Sequence, residues 1–195
     1  MIRNLRKTEP IQSSFLSCEK DTETILRKLF IESQPYSDIL KRLLVINMPD
    51  CLTNEENEIY QNKIKEMSLS QLKKQGYIKL SPKIRLEENA EVKAYIIISF
   101  QDFTETSNLE FRRCHIHFDI LCHTDYWEMD DYQLRPMKIA GYIDGLLNNT
   151  KLSGIGELHF LGLDGLVFDE NLSGYCLMYE AIHGSDDRIV RQEEE

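Results

Sequence analysis

The sequence predicts an α+β protein: a mostly antiparallel sheet with helices packed on one face, plus a helical insertion. Three observations lead there. Apolar residues near both ends of 21–47 and along 136–147 recur at spacings of three and four, the helical period. Between 92 and 124, and again between 155 and 183, they alternate or run in short apolar blocks, as in strands. Polar turns join these strands in pairs, the layout of hairpins.

Taken in order, residues 1–20 form a polar N-terminal arm without a period, basic at its tip through Arg3, Arg6 and Lys7. Arms of this composition order on a partner. Asp21 or Thr22 suits the cap of a first helix, with Ile25, Leu26, Leu29 and Phe30 as its apolar stripe. Ser33–Gln34–Pro35 breaks it. Ser37 or Asp38 opens a second helix with Ile39, Leu40, Leu43 and Leu44 on one side, ending near Asn47. Residues 50–76 read as a helical insertion or docking segment. Thr53 and Glu56 fit a capping box, Ile59, Ile64 and Met67 give a thin apolar face, and Ser68 or Ser70 restarts a short helix that ends at Gly76.

From Tyr77 the period changes. Tyr77–Leu80 and Ile84–Leu86 are short strand candidates. Val92–Phe100 (VKAYIIISF) is a strong strand, and the turn Thr104–Asn108 joins it to a partner at Leu109–Thr124. Within that partner, Cys114, Ile116, Phe118, Ile120 and Cys122 fall on one face, and His115, His117, Asp119, Leu121 and His123 on the other. Pro136 fits a first helical position, where its missing N–H costs nothing. Met137, Ala140, Ile143 and Leu147 then share a face up to a turn at Asn148–Asn149. Ile155–Leu163 and Gly174–His183 are the last strands, with turns expected at Gly162–Gly165 and Asp169–Gly174. Residues 21–185 thus make one α+β domain, and 186–195 an acidic tail with five carboxylates.

The chain has 195 residues and a formal net charge of −10. That charge argues against general binding to nucleic-acid backbone, while suiting a channel through which DNA slides. The five cysteines form no C-x-x-C pair. Cys114 and Cys122 lie eight residues apart on one strand, roughly 26 Å, and cannot bond within a chain. Free thiols made in a reducing cytoplasm are expected. Apolar patches such as Tyr95–Phe100 are too short to span a bilayer, so no membrane contact is expected.

Residue chemistry offers few sites. His115 and His117 project to one side, and an H-x-H pair on a strand supplies half of a metal site. The remaining ligands would come from His159 or a nearby carboxylate. The plain alternative is a half-exposed sheet face, which is the expectation here, with no metal and no cofactor. Cys114 and Cys122 sit on the core face, where thiols are inert. Gly154-Ile155-Gly156 and Gly162–Gly165 lack the following helix of a phosphate loop and read as turns. No catalytic constellation is present, and the expectation is a non-enzyme. Asp125, Glu128, Asp130 and Asp131 share a loop with Tyr126, Trp127 and Tyr132. These aromatics are interface candidates, or else Trp127 packs on its own sheet.

The order of elements, with FDILCHTDYWEMDDYQLRPMKIAGYIDGLL and two closing strands, resembles the tail-terminator and head–tail joining proteins of tailed bacteriophages. The resemblance covers roughly residues 90–184 and the first helix. The Arg135–Pro136 helix start, with Ile139, Ile143, Leu146 and Leu147, is its most recognisable stretch. It implies a structural virion protein, made in the host cytoplasm. Such a protein joins side by side in a homo-oligomeric ring at the head–tail junction, against neighbouring neck or tail proteins. DNA passes through the lumen without sequence-specific binding. Arg3, Arg6, Lys7 and the acidic tail become contacts between subunits. The 50–76 segment and the length of the arm depart from the pattern. Two other functions stay open: a small metal-dependent enzyme built on the histidine strand, and a monomeric docking adaptor.

Overall fold

A computed structural model describes residue 15 and residues 18–80, 93–107 and 111–184. Arg3, Arg6, Lys7, the Ile84–Leu86 strand candidate and the 186–195 tail lie outside these residues.

Helix α1 spans Cys18–Arg27 and runs directly into one wider π turn, Lys28–Glu32. It starts before the expected caps, so Asp21 lies inside the helix and is buried. The apolar stripe is as expected: Ile25, Leu26, Leu29 and Phe30 are all inside the core. After the break at Ser33–Pro35, α2 spans Tyr36–Val45 and buries Leu40, Leu43 and Leu44.

The 50–76 segment forms α3 (Glu58–Glu66) and α4 (Leu69–Lys74). The cap of α3 is Asn57, whose Oδ1 accepts from the amides of Ile59 and Tyr60 at 3.0 and 3.3 Å. The expected Thr53–Glu56 box does not form, because Thr53 turns instead toward the Asp50 carbonyl and the Asp130 carboxylate. Ser68 caps α4, and Gly76, with φ +79°, follows its end as a left-handed glycine should. Cys51, Ile64, Met67 and Leu72 join the main core, and Lys63 Nζ donates to the Val45 carbonyl at 3.0 Å. The segment therefore packs within its own chain.

The sheet begins with β1 (Ile78–Lys79), β2 (Ala94–Glu105) and β3 (Phe111–His123). Two small hairpins follow. The first, β4 (Glu128–Met129) with β5 (Gln133–Leu134), precedes helix α5 (Arg135–Leu147), and the second, β6 (Lys151–Leu152) with β7 (Gly156–Glu157), comes after it. The chain closes with β8 (His159–Val167) and β9 (Leu172–Gly184). Five strands form the main sheet in the order β1-β2-β3-β9-β8, antiparallel except for the β1–β2 pair.

Two expectations move. Thr104 and Glu105 are not the hairpin turn but continue β2, paired to Arg113 and Arg112. Ile155–Leu163 is not a strand: Ile155 sits in the β6–β7 hairpin, where Gly154 and Gly156 take positive φ. The strand starts at His159 and carries Gly162 and Gly165 in its interior. Glycine weakens a strand without forbidding it, and pairing to β9 outweighs that local preference. A one-residue bulge between Phe160 and Gly162 absorbs the irregularity.

The two sheet faces differ. Cys114, Ile116, Phe118, Ile120 and Cys122 are all fully buried against the helices. From α5, Ile139, Ala140, Ile143 and Leu147 meet them, while Met137 points outward. The opposite face holds a small apolar cluster of Tyr95, Ile97, Leu121 and Leu172 at one end and polar residues elsewhere. Gly174 brings β9 close to β3: a Cβ there would run into the Ile120 carbonyl oxygen. Gly174→Ala should lower stability by about 1–3 kcal/mol or more, because backbone cannot step aside as a flexible side chain can. Urea unfolding measures it.

Tyr179 of β9 donates from its hydroxyl to Asp144 of α5 at 2.8 Å, fixing helix to sheet. Arg135 is the stronger tie. Its side chain is fully buried. Nη1 donates to the carbonyls of Leu43 and Ile46, Nη2 to Met48 and Nε to Tyr126, at 2.8–2.9 Å. No carboxylate pairs with it among the described residues. The C-terminal carbonyls of α2, where the helix dipole is negative, stand in its place. Arg135→Ala should cost on the order of 3–5 kcal/mol, since it leaves those buried acceptors unpaired. The thermal midpoint should fall by about 10 °C or more, and Arg135→Lys should recover only part, lacking the planar fork.

Candidate functional site

Two features of the sheet are candidates for function: its open edges and the polar cluster on the face away from the helices.

β8 is one edge. It runs nine residues, and no described strand pairs with its outer side. Phe160, Leu161, Val167 and the following Phe168 leave large apolar area exposed there, with Val167 80% exposed. At the other side of the sheet, among the described residues, the two-residue β1 pairs with Ile96 and Ile97 of β2 and no further. Long uncovered edges invite another strand or chain, which is why proteins usually blunt them.

The aromatic loop is held by the fold. Trp127 is half-buried. Its indole N–H reaches the Cys122 and Ser173 carbonyls at 3.3 and 3.2 Å, and its ring lies 5.9 Å from that of Tyr175. It thus packs on its own sheet, one of the two readings open from sequence. Tyr126 is half-buried and lends its carbonyl to Arg135. Tyr132 differs. It stands fully exposed at the tip of the β4–β5 hairpin, and Asp131 and Tyr132 both have φ +58°. A bulky side chain rarely takes that conformation.

The histidine strand gains a partner that sequence reasoning left unnamed. His115 and His117 share the open face as expected, with rings 6.4 Å apart and nearly parallel. The bulge in β2 between Gln101 and Thr104 places one extra residue opposite β3. Asp102 in that bulge has φ +52°. Strict alternation would send its side chain to the helix face. The bulge turns it to the other, where Oδ2 lies 3.1 Å from His115 Nδ1. One ligand atom from each of Asp102, His115 and His117 lies within 4.8 Å of the others. His159 is on the far side of β9, opposite Glu180, and is not part of this group. No signal in the sequence marks Asp102, since a bulge depends on how two strands pair.

Cys176 of β9 borders the cluster, with Sγ 3.6 Å from His117 Nδ1. Burial, and then the neighbouring Asp119, push its thiol up to about 12. Burial also lifts Cys114 and Cys122 to about 12. These thiols stay protonated in the folded chain while the unfolded chain ionises near 9, so their contribution is complete below pH 9 and fades between about 9 and 12. Stability should drop as pH rises through that window, more gently in Cys122→Ala than in the wild type once the cavity cost is subtracted. Chemical denaturation at stepped pH checks the slope.

These features define an α+β protein whose sheet packs helices on one face and, among the described residues, leaves its edges open. The chain belongs to the YomW family, which residues 37–181 match. That is a family of the Bacillus phage SPbeta region, and the chain is a phage-related protein. No curated protein matches it. The matched span runs from α2 to β9 and includes 50–76, so that helical segment is part of the family's own domain. Among the described residues no helix is long and apolar enough to cross a membrane.

Proposed function

We propose that the chain is a structural protein of the phage particle. In this reading it joins side by side with its own copies in a ring at the head–tail junction, as tail terminator or connector. Family membership supports a phage role, and the sequence resemblance to tail-terminator and joining proteins supports the place.

The observation that carries the ring is the pair of edges, on opposite sides of one sheet, that no further strand covers among the described residues. A contact between β8 of one copy and the β2 side of the next joins two different surfaces. Repetition of such a heterologous contact closes into a ring when the rotation fits. The apolar side chains of β8 supply the buried area, and main-chain groups supply strand pairing. Tyr132, displayed on its hairpin, serves contacts to a neighbouring neck or tail protein, with Trp127 and Tyr126 fixing the loop beneath it. Arg3, Arg6 and Lys7, which lie outside the described residues, stay interface candidates in this reading. A net charge of −10 keeps a lumen from gripping DNA in passage.

Native mass spectrometry of the full-length chain, at low and high salt, tests this. One closed number of subunits is expected. Leu161→Lys combined with Val167→Lys should release monomers, while changing monomer stability by no more than about 0.5 kcal/mol per exposed site. A wild-type chain that stays monomeric at high concentration, in both salts, would overturn the ring and favour the docking adaptor.

A further inference from the structure

The ring reading makes no use of the group on the open face. We propose that Asp102, His115 and His117 form a binding site for a divalent transition-metal ion of the zinc class.

The geometry is close to what such an ion needs. Bonds of about 2.1 Å at a tetrahedral angle hold two donor atoms about 3.4 Å apart. Asp102 Oδ2 and His115 Nδ1 are already 3.1 Å apart, so an ion replaces the proton they share. The third donor, within 4.8 Å of both, closes the remaining distance by small rotations of His117 and Asp102. His117 has a reason to move: its Nε2 is shielded from solvent and has no hydrogen-bond partner among the described residues. A buried polar atom left so is costly, and a coordinate bond removes that cost.

The backbone points the same way. Asp102 holds a left-handed conformation that glycine would adopt freely. An aspartate kept there, aimed at two imidazoles, matches strain retained at a ligand site. The donor set selects the ion. Two imidazoles and one carboxylate suit zinc and its first-row neighbours over the all-oxygen preference of calcium or magnesium. Cys176 borders the site, with its Sγ 3.6 Å from His117 Nδ1, and lies outside the group of three whose ligand atoms converge. Three protein ligands leave a position for water or a further group.

The test uses the full-length chain, stripped with a chelator and titrated with Zn²⁺ by calorimetry, followed by thermal unfolding. One equivalent should bind, and the midpoint should rise with Zn²⁺ as mass action requires. Asp102→Gly is the decisive variant. It removes a ligand but relaxes the left-handed backbone, so the fold survives while Zn²⁺ affinity falls by more than about 10-fold, the loss that even an outer partner causes. His115→Ala with His117→Ala should abolish both binding and the midpoint shift. Zn²⁺ uptake by the wild type no greater than that of the double variant would overturn the site. Full affinity in Asp102→Gly would overturn it equally. Subunit number is read separately, so failure here leaves the ring reading standing, and the reverse.

Discussion

The buried guanidinium of Arg135 is the interaction on which the rest of the arrangement depends. It begins α5, yet its donors reach the end of α2, the Ile46–Met48 turn and the Tyr126 carbonyl. A buried cation is tolerated only when its donors are met, and here backbone carbonyls meet them without a carboxylate. Four carbonyls must therefore converge on one point. That fixes where α2 stops, how the acidic loop leaves β3, and how α5 lies on the sheet. The Arg135 amide adds a bond to the Trp127 carbonyl at 2.8 Å. The aromatic loop is thus pinned at its base while its tip, with Tyr132, stays free.

With the helices locked to one face, the other face and the edges carry what remains for function. The helix side is apolar almost without exception, and its thiols are silent. The opposite side gathers histidine, aspartate, cysteine and methionine along β3 and β9. The bulge in β2 delivers Asp102 to the histidines. The edges differ from both faces: β8 is long, apolar and uncovered among the described residues. The sheet is thus divided into a packed face, a histidine-bearing face and an edge left uncovered among the described residues.

Residues 50–76 show what composition leaves open. Rich in glutamate, asparagine, lysine and glutamine, they read as a helical insertion or docking segment, packed within the chain or against another subunit. Yet Ile64, Met67 and Leu72 suffice to seat them on the main core, and the Lys63 bond to Val45 fastens α3 to the end of α2. The family match across this segment agrees with its place in the domain.

The sequence by itself determined the α+β class, the stripes of α1 and α2, the two faces of β3 and the start of α5 near Pro136. Each rests on a local period or a backbone rule, and both act over a few neighbouring residues. It also showed His115 and His117 on one side. Only the tertiary structure decided the rest. Whether Thr104 and Gly162 turn or continue a strand depended on pairing across the sheet. Whether Thr53 or Asn57 capped a helix depended on Asp130, far along the chain. Arg135 looked like an ordinary helix-start residue until carbonyls roughly 90 positions away surrounded it. Asp102 became a neighbour of the histidines through a bulge, which is a property of two strands in register and has no trace in either strand alone.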